Sequence, residues 1–111
     1  MTTEKTVKPA KVLVIDVGGT NVKILATGQK EPRKFPSGPS MTAQKMVQVV
    51  KNAGRDWEYD CISLGYPGPI INGHPLREPH NLGGGWMAFD FRKAFGCPVK
   101  VINDALSLIH I

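Results

Sequence analysis

A carboxylate, two glycines and a hydroxyl fall together in Asp16-Val17-Gly18-Gly19-Thr20-Asn21. The apolar run Val12-Leu13-Val14-Ile15 precedes them and reads as a buried strand that ends in Asp16. Two glycines after such a strand let the backbone approach a ligand closely, and glycine's tolerance of positive φ suits a tight turn. The Thr20 hydroxyl and the neighbouring amides could then hydrogen-bond phosphate oxygens. Asp16 would either sit on a magnesium ion or position a reacting phosphoryl group. A plain hairpin with a Gly-Gly turn would look the same. The motif is neither GxGxxG opening a helix nor a Gly-Lys-Ser/Thr phosphate loop.

A second candidate is Asn103-Asp104, which closes the apolar run Val99-Lys100-Val101-Ile102. Ligand sites of α/β sheets gather at the carboxyl ends of strands. A carboxylate there, beside an amide able to fix a hydroxyl, suits a general base acting on an alcohol. By itself the pair reads better as a helix cap or a turn.

The third candidate joins Gly65-Tyr66-Pro67-Gly68-Pro69 to Asn81-Leu82-Gly83-Gly84-Gly85-Trp86. Glycines beside a polyol allow amides to reach hydroxyls, and Asn81 offers both a donor and an acceptor. Trp86 could pack on a sugar face or anchor the loop in the core, and the core role is preferred. His74 and His80 have no partner at metal-ligand spacing and read as loop residues.

The elements that must position these residues follow from pattern. Residues 12–27 read as a β-hairpin, with Val22, Ile24 and Ala26 alternating on its second arm. Residues 28–39, with three prolines and two glycines, read as loop or edge strand. Ser40 or Thr42 can cap a helix carrying Ala43, Met46, Val47, Val49, Val50 and Ala53, and Gly54 supplies its stop. Cys61-Ile62-Ser63-Leu64 is a second buried strand. Residues 65–86 are glycine- and proline-rich, with a hairpin turn at Asn72-Gly73. Asp90 caps a short helix, Phe91 to Phe95, closed by Gly96, and 99–102 is a third strand. The order is that of an α/β layer arrangement.

Composition narrows the function classes. The 111 residues make one small domain, with 41% hydrophobic and 21% charged residues, as in a globular chain. No apolar run approaches the ~20 residues needed to cross a bilayer, and the polar start lacks a secretory signal's apolar core. The expected location is therefore cytoplasmic, with no membrane partner. The charge of +5 is scattered over the chain, without a basic helix, an RNP-type aromatic motif or a helix-turn-helix. Nucleic acid is not an expected partner, whereas a polyanionic phosphoryl donor would fit. Cys61 and Cys97 form no CxxC pair, so two reduced, buried cysteines are expected.

In this order and at these spacings, the motifs resemble those of the ROK family (repressors, open reading frames, kinases). These are Asp-x-Gly-Gly-Thr, Gly-Tyr-Pro-Gly-Pro, Asn-Leu-Gly-Gly-Gly-Trp and Val-Ile-Asn-Asp-Ala. The form at 81–86 looks most like the polyphosphate-glucokinase-like branch. The resemblance runs from Val12 to Ala105. It implies an actin-like ATPase (ribonuclease H-like) fold, of which residues 11–105 would be the N-terminal lobe, a mixed sheet with flanking helices. It also implies phosphoryl transfer from ATP or polyphosphate, with Mg2+, to the 6-hydroxyl of glucose or a similar hexose by a homo-oligomeric enzyme.

On that resemblance Asp16, Gly18, Gly19, Thr20 and Asn21 would form the phosphate loop, with Asp16 toward magnesium. Gly65, Pro67, Asn81, Gly84, Asn103 and Asp104 would meet the sugar, and Asp104 would be the catalytic base. Residues 1–10 read as a leader. The family's second lobe, with further phosphate-binding glycines, a Glu-x-Gly-His motif and often a cysteine-rich zinc site, is absent from these 111 residues. No zinc site is expected in them, and the 111-residue chain alone is expected to be inactive or nearly so.

The tail Leu106-Ser107-Leu108-Ile109-His110-Ile111 departs from the family and reads as non-native. The codons CTG TCT CTT ATA CAC ATC would encode it and match the start of a transposase sequencing adaptor. Two other functions remain open. A non-catalytic ROK-type sugar-binding regulator would need a helix-turn-helix, for which the ~10 residues before the first strand are too few. Another nucleotide-binding protein of actin-like fold would not need Asn81 or Asn103-Asp104.

Overall fold

The computed structural model describes residues 11–68, 70–71, 74–75, 82–87 and 89–103. Its frame is a five-stranded sheet, built outward from β1 (Val12–Val17). β1 turns back on itself as β2 (Asn21–Ala26), paired antiparallel from Leu13↔Ala26 to Val17↔Val22. Arg33–Pro36 forms β3, antiparallel to β2 and at the edge of the sheet, where Pro36 leaves no central ladder bond unmade. The 28–39 stretch is thus edge strand as well as loop.

On the other side of β1 the sheet becomes parallel. β4 (Cys61–Tyr66) pairs with β1, and β7 (Val99–Asn103) pairs with β4, giving the order β3-β2-β1-β4-β7. The short strands β5 (Ile70–Ile71) and β6 (His74–Pro75) pair antiparallel as a separate hairpin. Its Asn72-Gly73 turn lies outside the described residues. β4 runs two residues further than its apolar run suggests. Gly65 is drawn into the strand by partners on both sides, Asp16 in β1 and Ile102 in β7, and Tyr66 by Asn103 of β7.

Two helices cover one face. α1 (Ala43–Ala53) begins at Thr42, whose Oγ1 accepts a hydrogen bond from the Lys45 amide at 3.1 Å. It ends at Gly54, whose N–H reaches the Val50 carbonyl at a φ of −106°, so this stop needs no left-handed residue. α2 (Phe91–Phe95) begins at Asp90 and ends at Gly96, which is left-handed at φ 77°. Alternation along the strands sends Leu13, Ile15, Val17, Val22, Ile24, Ile62 and Leu64 into one core with Met46 and Val50 of α1 and Trp86. Val12, Val14, Asp16, Leu25, Cys61 and Ser63 alternate with them and are half-buried.

Cys61 and Cys97 are free thiols, half-buried where full burial was expected. Burial pushes the Cys97 thiol up, with a smaller push from Cys61. No described helix is long and apolar enough to cross a membrane.

The edge strand is fastened to α1 by one side chain. Arg33 Nη1 donates to the Ala53 carbonyl at 2.5 Å, and the guanidinium grips Asp56 with two bonds of 2.7 and 3.0 Å. Its central carbon Cζ lies over the Trp57 ring, 4.1 Å from the centroid. The Arg33 hydrogen bonds, then a bond from its own backbone, hold the Asp56 carboxyl down to about 2, against an ordinary 3.8. A depressed carboxylate contributes stability that is complete above its unfolded value and lost as pH falls through the folded one. We therefore expect the clasp's contribution to fade between about pH 4 and pH 2. An NMR titration should place the Asp56 midpoint near 2 and move it back toward the ordinary value in Arg33→Gln. An unshifted midpoint in the parent chain would show that the clasp does not form in solution.

Candidate functional site

The parallel register gathers the sequence motifs at one end of the sheet. Asp16 is level with Gly65, Gly65 is level with Ile102, and Tyr66 is level with Asn103. With strands ~4.8 Å apart, the ends of β1 and β7 are separated by roughly 10 Å, with the end of β4 between them. This is the carboxyl end of all three parallel strands, where open α/β sheets leave a crevice.

Asp16 has a feature that a plain hairpin would not explain. Its Oδ1 is shut off from water and, among the described residues, has no hydrogen-bond partner. A buried acceptor without a donor costs about 1–3 kcal/mol, more when charged. A cation or a donor group of a ligand would remove that cost. The chain then turns through 18–20 into β2. The Gly18 N–H donates to the Asn21 carbonyl at 2.8 Å, and Asn21 Nδ2 reaches Thr20 Oγ1 at 3.3 Å. Thr20 and Asn21 are exposed.

Neither Gly18 nor Gly19 has positive φ, so the turn does not use the conformational freedom expected of them. Space is the constraint at Gly18: a Cβ there would lie 3.0 Å from the Asn21 carbonyl oxygen. Sequence reasoning missed Ser37, which lies against this loop. Its Oγ donates to the Gly18 carbonyl at 2.6 Å and its N–H to the Thr20 carbonyl at 3.0 Å. A serine among prolines carries no signal of this role, because the contact exists only once β3 has paired with β2.

The sugar-loop candidates divide. Gly65 lies inside β4 between two neighbouring strands, so it belongs to the sheet and not to the loop. Pro67 follows in the bend, where the Gly68 N–H returns to the Tyr66 carbonyl at 2.9 Å. Asn103 Nδ2 donates to the Gly68 carbonyl at 2.8 Å and thereby ties the end of β7 to the turn after β4. Asn81 and Asp104 lie outside the described residues, as do the leader and the tail.

The glycines after Asn81 dock the loop on the start of α1. The Gly83 N–H donates to the Met41 carbonyl at 2.8 Å, and the Ala43 N–H donates to the Gly84 carbonyl at 3.3 Å. Trp86 is fully buried against Tyr66 and Phe91, and its indole N–H also donates to the Met41 carbonyl, at 3.3 Å. It is a core anchor, as preferred from sequence. Two open hollows of about 510 Å³ each lie elsewhere and share Trp57 as a wall. Lys11 and Asp60, which precede β1 and β4, line one of them, so it sits at the amino end of those strands. No residue of the motifs lines either hollow.

No protein-family model matches the sequence, and no curated protein does. Solved structures do match. A glucokinase from an Antarctic psychrotroph superposes with a TM-score of 0.66 at 22% identity, over 88% of this chain and 33% of its own. A ROK hexokinase from Thermus thermophilus gives 0.64 at 25% identity, over 86% of this chain and 35% of its own. A ROK family glucokinase from Streptomyces griseus, solved in complex with glucose and AMPPNP, gives 0.65 at 20% identity, over 86% of this chain and 33% of its own. The chain spans about a third of the length of these structures. The fold expected from the motifs is the one observed: the mixed sheet and flanking helices of the actin-like N-terminal lobe of ROK sugar kinases.

The docking of the 82–86 loop can be tested by its glycines. A Cβ at Gly83 would lie 2.9 Å from the Thr42 nitrogen and 3.0 Å from the Met41 carbonyl carbon, backbone atoms that cannot rotate aside. A Cβ at Gly84 would meet nothing within 4 Å. Gly83→Ala should cost about 1–3 kcal/mol in urea unfolding and speed hydrogen exchange at the Trp86 indole, while Gly84→Ala leaves both close to the parent. Equal behaviour of the two variants would mean that the loop is not held on α1.

Proposed function

We propose that this chain is the N-terminal lobe of a ROK-type hexose kinase, which transfers a phosphoryl group from ATP or polyphosphate to the 6-hydroxyl of glucose or a similar hexose. The observation that carries the reading is the buried Asp16 Oδ1, which has no hydrogen-bond partner among the described residues. It is the penultimate residue of β1, two before the glycine turn, and is level with Gly65 of β4. A carboxylate so placed fits a bound cation, and a single carboxylate supplemented by phosphate oxygens is how Mg2+ is commonly held. Bound there with the donor, Mg2+ would neutralise phosphate charge.

The chain's own residues supply the remainder. The Thr20 hydroxyl and the amides of 19–21 would receive phosphate oxygens, while the Gly18 N–H closes the turn onto the Asn21 carbonyl and Gly18 leaves out a Cβ that would crowd it. Asn81 and Asn103 would fix sugar hydroxyls and so aim the 6-hydroxyl in line with the phosphorus. Asp104, the residue after the end of β7, would take the hydroxyl proton as that oxygen bonds to phosphorus. The bond to the donor's bridging oxygen breaks, and the shortened donor leaves with its electron pair. Support for the hexose comes from the structural neighbours, one of them a glucokinase in complex with glucose and AMPPNP.

Such transfer consists mostly of positioning and charge stabilisation between two walls, and this lobe supplies one wall. We expect the 111-residue chain to show no hexose-dependent phosphate transfer in a coupled assay. A polypeptide that continues past Ala105 into a second lobe should be active, and Asp104→Asn in it should lower kcat by a factor of about 10²–10⁴. Clear turnover by the chain alone would refute the single-wall reading, and unchanged turnover in Asp104→Asn would remove that residue as the base.

A further inference from the structure

We propose that Ser37 is the positioning residue of the phosphate loop: its hydroxyl and amide turn two loop carbonyls aside so that the amides opposite them face the donor phosphate. The proposal rests on the kinase reading above. It adds a residue that lies in none of the sequence motifs.

The argument begins with peptide geometry. All described peptides are trans, and in a trans peptide the N–H and the C=O point in opposite directions. Ser37 Oγ draws the Gly18 carbonyl toward itself at 2.6 Å. The N–H of Gly19, on the far side of that peptide, therefore points away from Ser37. The Ser37 N–H draws the Thr20 carbonyl in the same way at 3.0 Å. This orients the Asn21 amide away as well. Without the clasp each peptide could rotate and present its carbonyl oxygen to an incoming anion. A carbonyl aimed at phosphate repels it, whereas an N–H attracts it, so the sign of the loop's field depends on which way these two peptides are turned.

Ser37 is itself held in place. β3 ends at Pro36, opposite Asn21, and Thr20 with Ser37 forms the next rung of that pairing. The hydroxyl is part-buried against the loop. Gly38 follows at φ 114°, a conformation that side chains rarely adopt, and its carbonyl accepts from the Met41 N–H at 2.9 Å. The chain therefore turns sharply after Ser37 and runs directly into the cap of α1. At its other end β3 is fixed to α1 by Arg33. The edge strand is pinned at both ends, and one of its pins is the phosphate loop.

The test uses the ¹⁵N-labelled 111-residue chain and magnesium tripolyphosphate as the probe. In the parent, the Gly19, Thr20 and Asn21 amides should shift on titration. In Ser37→Ala the affinity read from those shifts should fall about tenfold, and Ser37→Thr, which keeps the hydroxyl, should recover most of it. Gly96→Ala serves as the control, because it strains the left-handed turn after α2 without touching the loop. It should lower the melting temperature and leave the affinity at the parent value. Parent affinity in Ser37→Ala would overturn the positioning role and leave the phosphate loop standing. An equal loss of affinity in Gly96→Ala would also overturn it, by showing that affinity follows stability alone. No amide shift in the parent would remove the phosphate-loop reading itself, and the proposal with it.

Discussion

The parallel register of β1, β4 and β7 is the constraint on which the rest of the lobe depends. Side chains alternate along a strand, so a slip of one residue would exchange the buried row Leu13, Ile15 and Val17 for the half-buried row Val12, Val14 and Asp16. The buried row is fully excluded from water and meets Ile62 and Leu64 of the neighbouring strand. Burying each such side chain is worth about 1.5–3 kcal/mol. That apolar preference, acting far from any ligand, is what brings Asp16, the turn after β4 and Asn103 to the same end. The site is a by-product of core packing that chemistry can use.

The same economy of contacts ties the loops to the core. The Met41 carbonyl accepts from both the Gly83 amide and the Trp86 indole, so one backbone oxygen joins the start of α1 to the glycine loop. Trp86 adds ring contacts with Tyr66, the last residue of β4. Displacing the indole would disturb the end of a site strand and the glycine loop together. The Asn103 to Gly68 bond completes the arrangement by joining β7 to the turn after β4. The β1–β2 turn, the turn after β4 and the glycine loop are thus each fastened to a distant segment by at least one bond that does not belong to a regular element.

What the sequence makes legible is whatever depends on local pattern. The 12–27 hairpin, the cap at Thr42, the Asp90–Gly96 helix and the apolar strands follow from alternation, capping chemistry and turn residues. What it hides depends on pairing between distant segments. β4 extends through Gly65, which has partners on both sides, and Tyr66, which pairs with Asn103 of β7, and no local propensity records this. Gly18 is required for clearance from Asn21, not for positive φ, and clearance is visible only in three dimensions. Ser37 belongs to the same class, since its contacts cross from the edge strand to the loop of another hairpin. The buried Asp16 oxygen lies between these cases: the motif names the residue, but only the fold shows that its Oδ1 has no partner among the described residues.

One further consequence concerns where an anion could bind. A helix N-terminus is often a phosphate site, because its first amides are unpaired and the helix dipole favours negative charge. In α1 two of those amides are already engaged. The Ala43 N–H is taken by the Gly84 carbonyl and the Lys45 N–H by Thr42 Oγ1, while Gly83 packs against the Met41–Thr42 backbone too closely to admit even a Cβ. A phosphate there would have to displace the glycine loop and uncover Trp86. The β1–β2 turn has the opposite character: Thr20 and Asn21 are exposed, and two of its carbonyls are turned onto Ser37. The start of this helix, whose dipole would serve a phosphate in a Rossmann-type fold, serves here to hold the glycine loop.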